Sequence, residues 1–304
     1  MQTKTSNTIA IIGAGAAGLM AAITASKAGS KVHLYEQNNK PAKKILASGN
    51  GRCNISNTQV SSYDYFGQRP EFSSFALNNF SFTQFQKFCK SIGLLLNVLD
   101  DGRAYPLSNE AKSVALSFET YARSCGDEIF KEYPITQVEK KENKFYLHTP
   151  LNISEAYDKV LISTGSEAAP QLGGSSSGYE LASSLGHTII PTYPSLVQLH
   201  INSSLHERMS GIKLDAEVTL FLNNKKEQSI KGDILFTKYG ISGFAILDIS
   251  QMASEALLNY QAVDISLDLL PGFDRQTLSS QLLQMAQGLP SHPIEAILLS
   301  LIHI

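Results

Sequence analysis

The apolar pattern of the chain begins with NTIAIIGAG, a short continuous run that ends abruptly on glycine. Such a run, closed by a turn residue, predicts a buried strand. AAGLMAAITASKAG follows, rich in alanine, and predicts a helix that stops at Gly29. SKVHLYE reads as a second strand, so strand, helix and strand form a β-α-β unit of about 30 residues. Further along, FTQFQKFCKSIGL places apolar residues at helical spacing. LSNEAKSVALSFETYARSCG predicts a helix with Ser108 as its N-cap and Gly126 just beyond its end. IFKEYPITQVEKKENKFYLHTP alternates like a pair of antiparallel strands, and YDKVLISTG is another buried strand ending on glycine. GGSSSGYELASSLGH reads as a glycine-rich turn leading directly into a helix rather than as a flexible linker.

The pattern changes after Pro191 and Pro194. SLVQLHI, AEVTLFLNN, KKEQSIKGDILFTKYG and AVDISLDLL are strand-like, with Asn223-Asn224 as a turn pair between two of them. RQTLSSQLLQMAQGLP and SHPIEAILLSLIHI are helical. A domain boundary is therefore expected near residue 195. Residues 1–194 would form a Rossmann-like domain, and 195–304 a second domain, β-rich and then helical.

Composition narrows the class. The chain has 304 residues, enough for two domains. With 43% hydrophobic and 17% charged residues it is an ordinary globular sequence. A net charge of −2 disfavours a nucleic-acid surface. No apolar stretch approaches the roughly 20 residues of a membrane-spanning helix, and the short N-terminal apolar run lacks the form of a signal peptide. Cys53, Cys89 and Cys125 have neither CxxC spacing nor an even count, and no histidine pair has metal spacing. The expectation is a reduced, cytoplasmic protein without a metal site, with no nucleic-acid or membrane partner.

Candidate chemistry concentrates in Gly13-Ala14-Gly15-Ala16-Ala17-Gly18, a GxGxxG run between the first strand and its helix. Gly13 permits the tight turn, Gly15 allows close backbone approach to a pyrophosphate, and Gly18 lets helix and strand pack. The helix start, at Ala16 and Ala17, supplies free N–H groups and positive partial charge. Glu36 closes the second strand, where a carboxylate can accept hydrogen bonds from a ribose diol and repel a 2′-phosphate. This series points to a dinucleotide but leaves FAD and NAD undecided.

KKILASGNGRCNISN (43–57) bears on that choice, because it resembles the signature of the HI0933-like (YhiN- and BaiN-like) flavoprotein family. The resemblance continues through GRAYPLS (102–108), LISTGS (161–166), GYELASSLGH (178–187), YPSLVQL (193–199) and GDILFTKYGISG (232–243), nearly the whole chain. It implies an α/β fold of the two-dinucleotide-binding-domain flavoprotein type, with FAD bound and a β-rich plus helical domain inserted. It assigns Gly13, Gly15 and Gly18 to the pyrophosphate and Glu36 to the adenosine ribose. Lys44, Ser48, Gly49, Asn50, Gly51, Arg52, Cys53 and Asn54 match the loop along the flavin side. Val138 falls on the strand that offers backbone to adenine, and Thr164 and Gly165 fall where such proteins close over the cofactor. Arg52 or Lys44 can offset phosphate charge.

The implied function is an FAD-dependent oxidoreductase that moves two electrons between a small organic substrate and flavin N5, with NAD(P)H as a candidate donor. Amine oxidation and reduction of steroid-like enones are the implied directions, and no catalytic residue is assigned. An FAD-binding module without turnover and a flavoprotein acting on RNA are the alternatives. Cys53 reads as a packing residue rather than a redox thiol. Tyr239 and Ser242 divide evenly between a substrate-facing role and a corner demanded by Gly240 and Gly243. Family members continue beyond the point where this chain stops, so a C-terminally truncated reading frame is expected. LSLIHI (299–304) back-translates to a sequencing-adapter end, which makes those six residues adapter-derived on this reading.

Overall fold

The computed structural model describes residues 6–67, 69–203, 205–289 and 291, so the helical pattern and adapter-like ending expected after 291 lie outside the described residues. The chain divides into two compact units, one ending at Ile189 and the other beginning at Ile190.

The first unit is built on a parallel sheet. Its first strand is β1 (Thr8–Ile12), followed by helix α1 (Ala16–Lys27) and strand β2 (Lys31–Glu36). A short helix α2 (Lys43–Ala47) and a 3-10 turn at Ser48–Gly51 occupy the predicted loop. Strand β3 (Ser56–Asn57), helices α3 (Phe72–Asn79) and α4 (Phe82–Ser91), and strands β4 (Leu96–Val98) and β5 (Arg103–Pro106) come next. They lead to helix α5 (Ala111–Ser124), strands β6 (Glu128–Lys131), β7 (Gln137–Lys141), β8 (Lys144–His148) and β9 (Lys159–Ile162), and helix α6 (Ser177–Ser184).

The sheet runs β6-β2-β1-β9, parallel throughout. Because successive side chains alternate across a strand, β1 serves two cores at once. Ile9 and Ile11 join Leu19 and Ile23 of α1 and Val114 and Phe118 of α5, while Ala10 and Ile12 meet Ile135, Leu147 and Leu181 on the other face. Leu19 and Ile23 have no exposed surface, and burial of such side chains stabilises by about 1.5–3 kcal/mol each. β3, β5 and β4 form a small antiparallel sheet.

Two local expectations change. The stretch 129–150 is not one hairpin: β6 pairs in parallel with β2, and only β7 and β8 pair with each other. Glu132, at a φ of 57°, breaks the run and redirects the chain. Ser108 is not the cap of α5, whose N-cap position is Glu110. Asn109 is left-handed at a φ of 56°, and the Ser108 hydroxyl meets Ser113 Oγ at 2.6 Å instead.

The second unit is an antiparallel sheet covered by a helix. It comprises β10 (Leu199–His200), α7 (Leu205–Arg208), β11 (Lys213–Leu222), β12 (Lys225–Thr237), β13 (Gly240–Ser242), α8 (Phe244–Leu258), β14 (Val263–Asp268) and α9 (Arg275–Gly288). The sheet order is β10-β13-β12-β11-β14. Ile246, Ile249 and Ala253 of α8 pack on Val218, Leu220, Ile234 and Phe236. At the predicted Asn223-Asn224 turn both φ values are positive, 49° and 64°, as a tight type I′ hairpin requires. A β-carbon on Gly240 would lie 2.0 Å from Leu199 O, and one on Gly243 would lie 2.4 Å from Asp233 O. Packing alone therefore accounts for both glycines of that corner, and Tyr239 beside it is largely exposed.

Candidate dinucleotide site

At the C-terminal ends of β1, β2 and β9 the strands give way to a cleft of about 240 Å³. This is the end of a parallel sheet where α/β proteins place ligands. The turn after β1 forms one wall. Gly13 has a φ of +100°, and a β-carbon there would lie 2.6 Å from Ser163 O. On Gly18 a β-carbon would come 1.9 Å from Gly13 O. Ser163, just past the end of the neighbouring strand β9, fastens the turn, its hydroxyl donating to Ile12 O at 3.0 Å and Gly13 O at 2.9 Å.

Gly15 differs from its two neighbours in kind. It is the N-cap of α1 with a φ of −79°, which any residue can adopt, and a β-carbon would meet no atom of the described residues within 4 Å. Among the described residues nothing requires glycine here. Gly15 itself lines the cleft. The first-turn N–H groups of a helix have no intrahelical acceptor, and among the described residues no side chain caps α1. The helix start thus offers donors and positive partial charge to an anion in the cleft.

Glu36 sits at the far end of β2, 7% exposed. Its Oε2 accepts the Ala14 N–H at 3.0 Å, and its Oε1 accepts the Asn38 N–H at 2.8 Å and Asn38 Nδ2 at 2.6 Å. The carboxylate is thereby aimed at the glycine turn. Lys40, Lys43 and Lys44 line the same cleft, so its charge suits a ligand with an anionic middle and a hydroxyl-bearing end. Lys44 Nζ donates to Ser166 O at 3.1 Å, holding the segment after β9 across the cleft.

A second cavity of about 520 Å³, mainly apolar, adjoins the first and shares Ala16, Ala17, Lys44 and Ile45 with it. Met20, Ile55, Phe80, Phe85, Val114 and Phe118 supply its apolar surface, and Ser48, Cys53 and Asn54 also line it. Cys53 is 4% exposed, and burial raises its thiol pKa, with the Ser48 hydroxyl acting the other way. The thiol therefore stays protonated at neutral pH.

Of the residues expected to hold cofactor, Gly13, Gly15, Ala16, Ala17, Glu36, Lys44, Thr164 and Gly165 line the first cleft. Ser48, Cys53 and Asn54 line the apolar cavity. Gly18, Gly49, Asn50, Gly51, Arg52 and Val138 line neither. Gly49 serves the loop itself, since a β-carbon would lie 2.8 Å from Asn54 N. Arg52 places its guanidinium 5.2 Å from the Tyr105 ring centre. Val138 is buried in the core against the sheet, while Ile135 reaches the cleft. Pattern alone missed Asn38, Lys43 and Gly173. The polar QNNKPAKK run after Glu36 was the one signal that could have pointed to the first two. Among the described residues no group of three His, Cys, Asp or Glu is placed to hold a metal, and no helix is long and apolar enough to cross a membrane.

Comparison with known proteins places these features in a family. The model of the HI0933-like protein Rossmann domain matches residues 7–287. A 3-dehydro-bile acid delta(4,6)-reductase from Clostridium scindens is 33% identical over 267 residues, covering 87% of this chain and 65% of that protein. A ribosomal RNA dihydrouridine synthase from Haemophilus influenzae is 28% identical over 299 residues, covering 96% of this chain and 71% of that protein. The solved structure of Thermovibrio ammonificans THI4 has a TM-score of 0.40 and 14% identity, over 84% of this chain and 88% of that one. The chain spans about two thirds of the length of the curated relatives it matches. Because the family match runs through both units and not through the glycine turn alone, the chain belongs to the HI0933-like family.

Proposed function

We propose that the chain binds FAD and serves an FAD-dependent oxidoreductase that moves two electrons between NAD(P)H and a small organic substrate. Gly15 carries this reading: it is a glycine that no contact among the described residues requires, at a helix start, on the wall of a cleft whose other end holds a carboxylate. The adjoining apolar cavity supports FAD over a wholly polar dinucleotide, because FAD joins an adenosine diphosphate to a broad planar ring. Bound there, FAD supplies an N5 atom that exchanges a hydride with a substrate. The protein binds, orients and dries the site. The α1 start, Lys40 and Lys44 offset diphosphate charge, Glu36 receives the ribose, and Met20, Ile45 and Phe118 exclude water from the apolar end.

The names of the relatives support reduction as the direction. Both activities, on a bile acid and on uridine in ribosomal RNA, saturate a carbon–carbon double bond conjugated to a carbonyl. We infer that an enone or a compound of the same electronic type is the substrate class. RNA as substrate is the second reading, carried by the synthase relative; the net charge of −2 favours the small molecule.

The test is direct. The purified chain, mixed with FAD and passed through a desalting column, is expected to retain the visible flavin absorbance. Anaerobic NADH or NADPH should bleach that absorbance, and an enone should restore it where a uridine-containing RNA does not. Failure to retain flavin overturns the cofactor reading. Bleaching with no reoxidation by either substrate leaves an FAD-binding module without turnover as the function.

A further inference from the structure

Resting on the cofactor reading above, the geometry points to Asn38 as the residue that sets how the ribose is held. A carboxylate offers about four acceptor positions. Glu36 has three of them filled by its own chain: Oε2 takes the Ala14 N–H, and Oε1 takes both the backbone and the side-chain N–H of Asn38. Two donors at 2.8 and 2.6 Å saturate Oε1, so among the described residues one position, on Oε2, is left open to a ligand. A ribose diol that needs two polar partners therefore finds a single acceptor in Glu36. The second partner is a donor, Lys43, whose Nζ is anchored on Asn38 Oδ1 at 2.8 Å and lines the same cleft.

The amide orientation is fixed by chemistry, since its nitrogen faces a carboxylate and its oxygen an ammonium. Position is fixed by packing. Gly173, left-handed at a φ of +89°, lies so close that a β-carbon there would sit 2.7 Å from Asn38 Nδ2. Gln37 Nε2 holds the same residue through Gly173 O at 3.3 Å. Asn38 is thus clamped between Glu36, Lys43 and Gly173. One ribose hydroxyl donates to Glu36 Oε2, and the other accepts from Lys43. Asn38 acts through both partners and is a positioning residue, not a catalytic one.

Equilibrium binding of two ligands separates this role from a structural one. The ligands are FAD and its analogue with 2′,3′-dideoxyribose in the adenosine. Asn38→Ala and Lys43→Met are each expected to weaken FAD binding roughly ten- to thirty-fold, the loss of a hydrogen bond to a charged group. Neither should change affinity for the dideoxy analogue by more than about twofold, because the groups they position then have nothing to hold. Equal losses for both ligands would show a merely structural effect and overturn the assignment, as would an unchanged affinity for FAD. Lys43→Met covers the case in which Asn38→Ala misfolds, since it keeps Asn38 on Glu36. A wild-type chain that binds neither ligand overturns the cofactor reading itself, whereas one that binds both without discrimination overturns only the ribose assignment.

Discussion

A β-carbon on Gly18 would come 1.9 Å from the Gly13 carbonyl, whereas one on Gly15 would meet no atom of the described residues within 4 Å. These two positions of one turn should therefore separate in experiment. Gly18→Ala must move backbone, and we expect a loss of about 3 kcal/mol or more in urea unfolding. Gly15→Val should cost no more than about 1 kcal/mol of stability yet weaken FAD binding at least tenfold by titration. Asp127 carries a different prediction. It is 4% exposed; burial raises its carboxyl pKa, while its bond from the Ser26 hydroxyl lowers it in part. Its Oδ2 has no partner among the described residues. A raised folded-state pKa means that the folded chain binds the proton more tightly than the unfolded one. Stability from this group is then full below the ordinary aspartate value of about 3.9 and is lost as pH rises through the folded value. Asp127→Asn should remove that decline, gaining about 1 kcal/mol at neutral pH, or roughly 2–4 °C in Tm, with no gain at the acid end.

At the scale of the element, the Asn223-Asn224 turn joins β11 to β12 with both residues left-handed. Asparagine tolerates that region and a β-branched residue does not. Asn224→Val should cost about 1–2 kcal/mol, while Asn224→Gly should be neutral or slightly stabilising in thermal melts. This turn was legible in the sequence, as were β1, α1 and β2, because glycine or asparagine punctuates each of them. α8 was not. It begins at Phe244 with no side-chain cap among the described residues, directly after two glycines, Gly240 and Gly243, that signal a turn, and residues such as Ile246, Ile249 and Ala253 leave it apolar without a clean polar face. β3, β4 and β5 span two to four residues each, too few for an alternating pattern to show. β6 was misread because its partner, β2, lies across a long loop that local alternation does not report. At the candidate site, Glu36 and the glycines stood out by spacing. Asn38 and Gly173 did not, because their meeting depends on a contact between distant parts of the chain.

At the scale of the molecule, each unit has its own buried cluster, and the candidate site lies wholly in the first. Calorimetry should accordingly show two unfolding transitions rather than one. FAD at about a hundred times its Kd should raise one transition by roughly 5–10 °C and leave the other in place. A single transition that moves as a whole would show that the two cores unfold as one. The glycine turn also has a meaning over generations. Gly13 and Gly18 are locked by the chain's own atoms, so a descendant that ceased to use its cofactor would still have to keep both in order to fold. Gly15 meets no such constraint among the described residues, so in such a lineage it is the glycine free to drift. The residue found at position 15 would then distinguish descendants that still load a dinucleotide from those that have inherited only its scaffold.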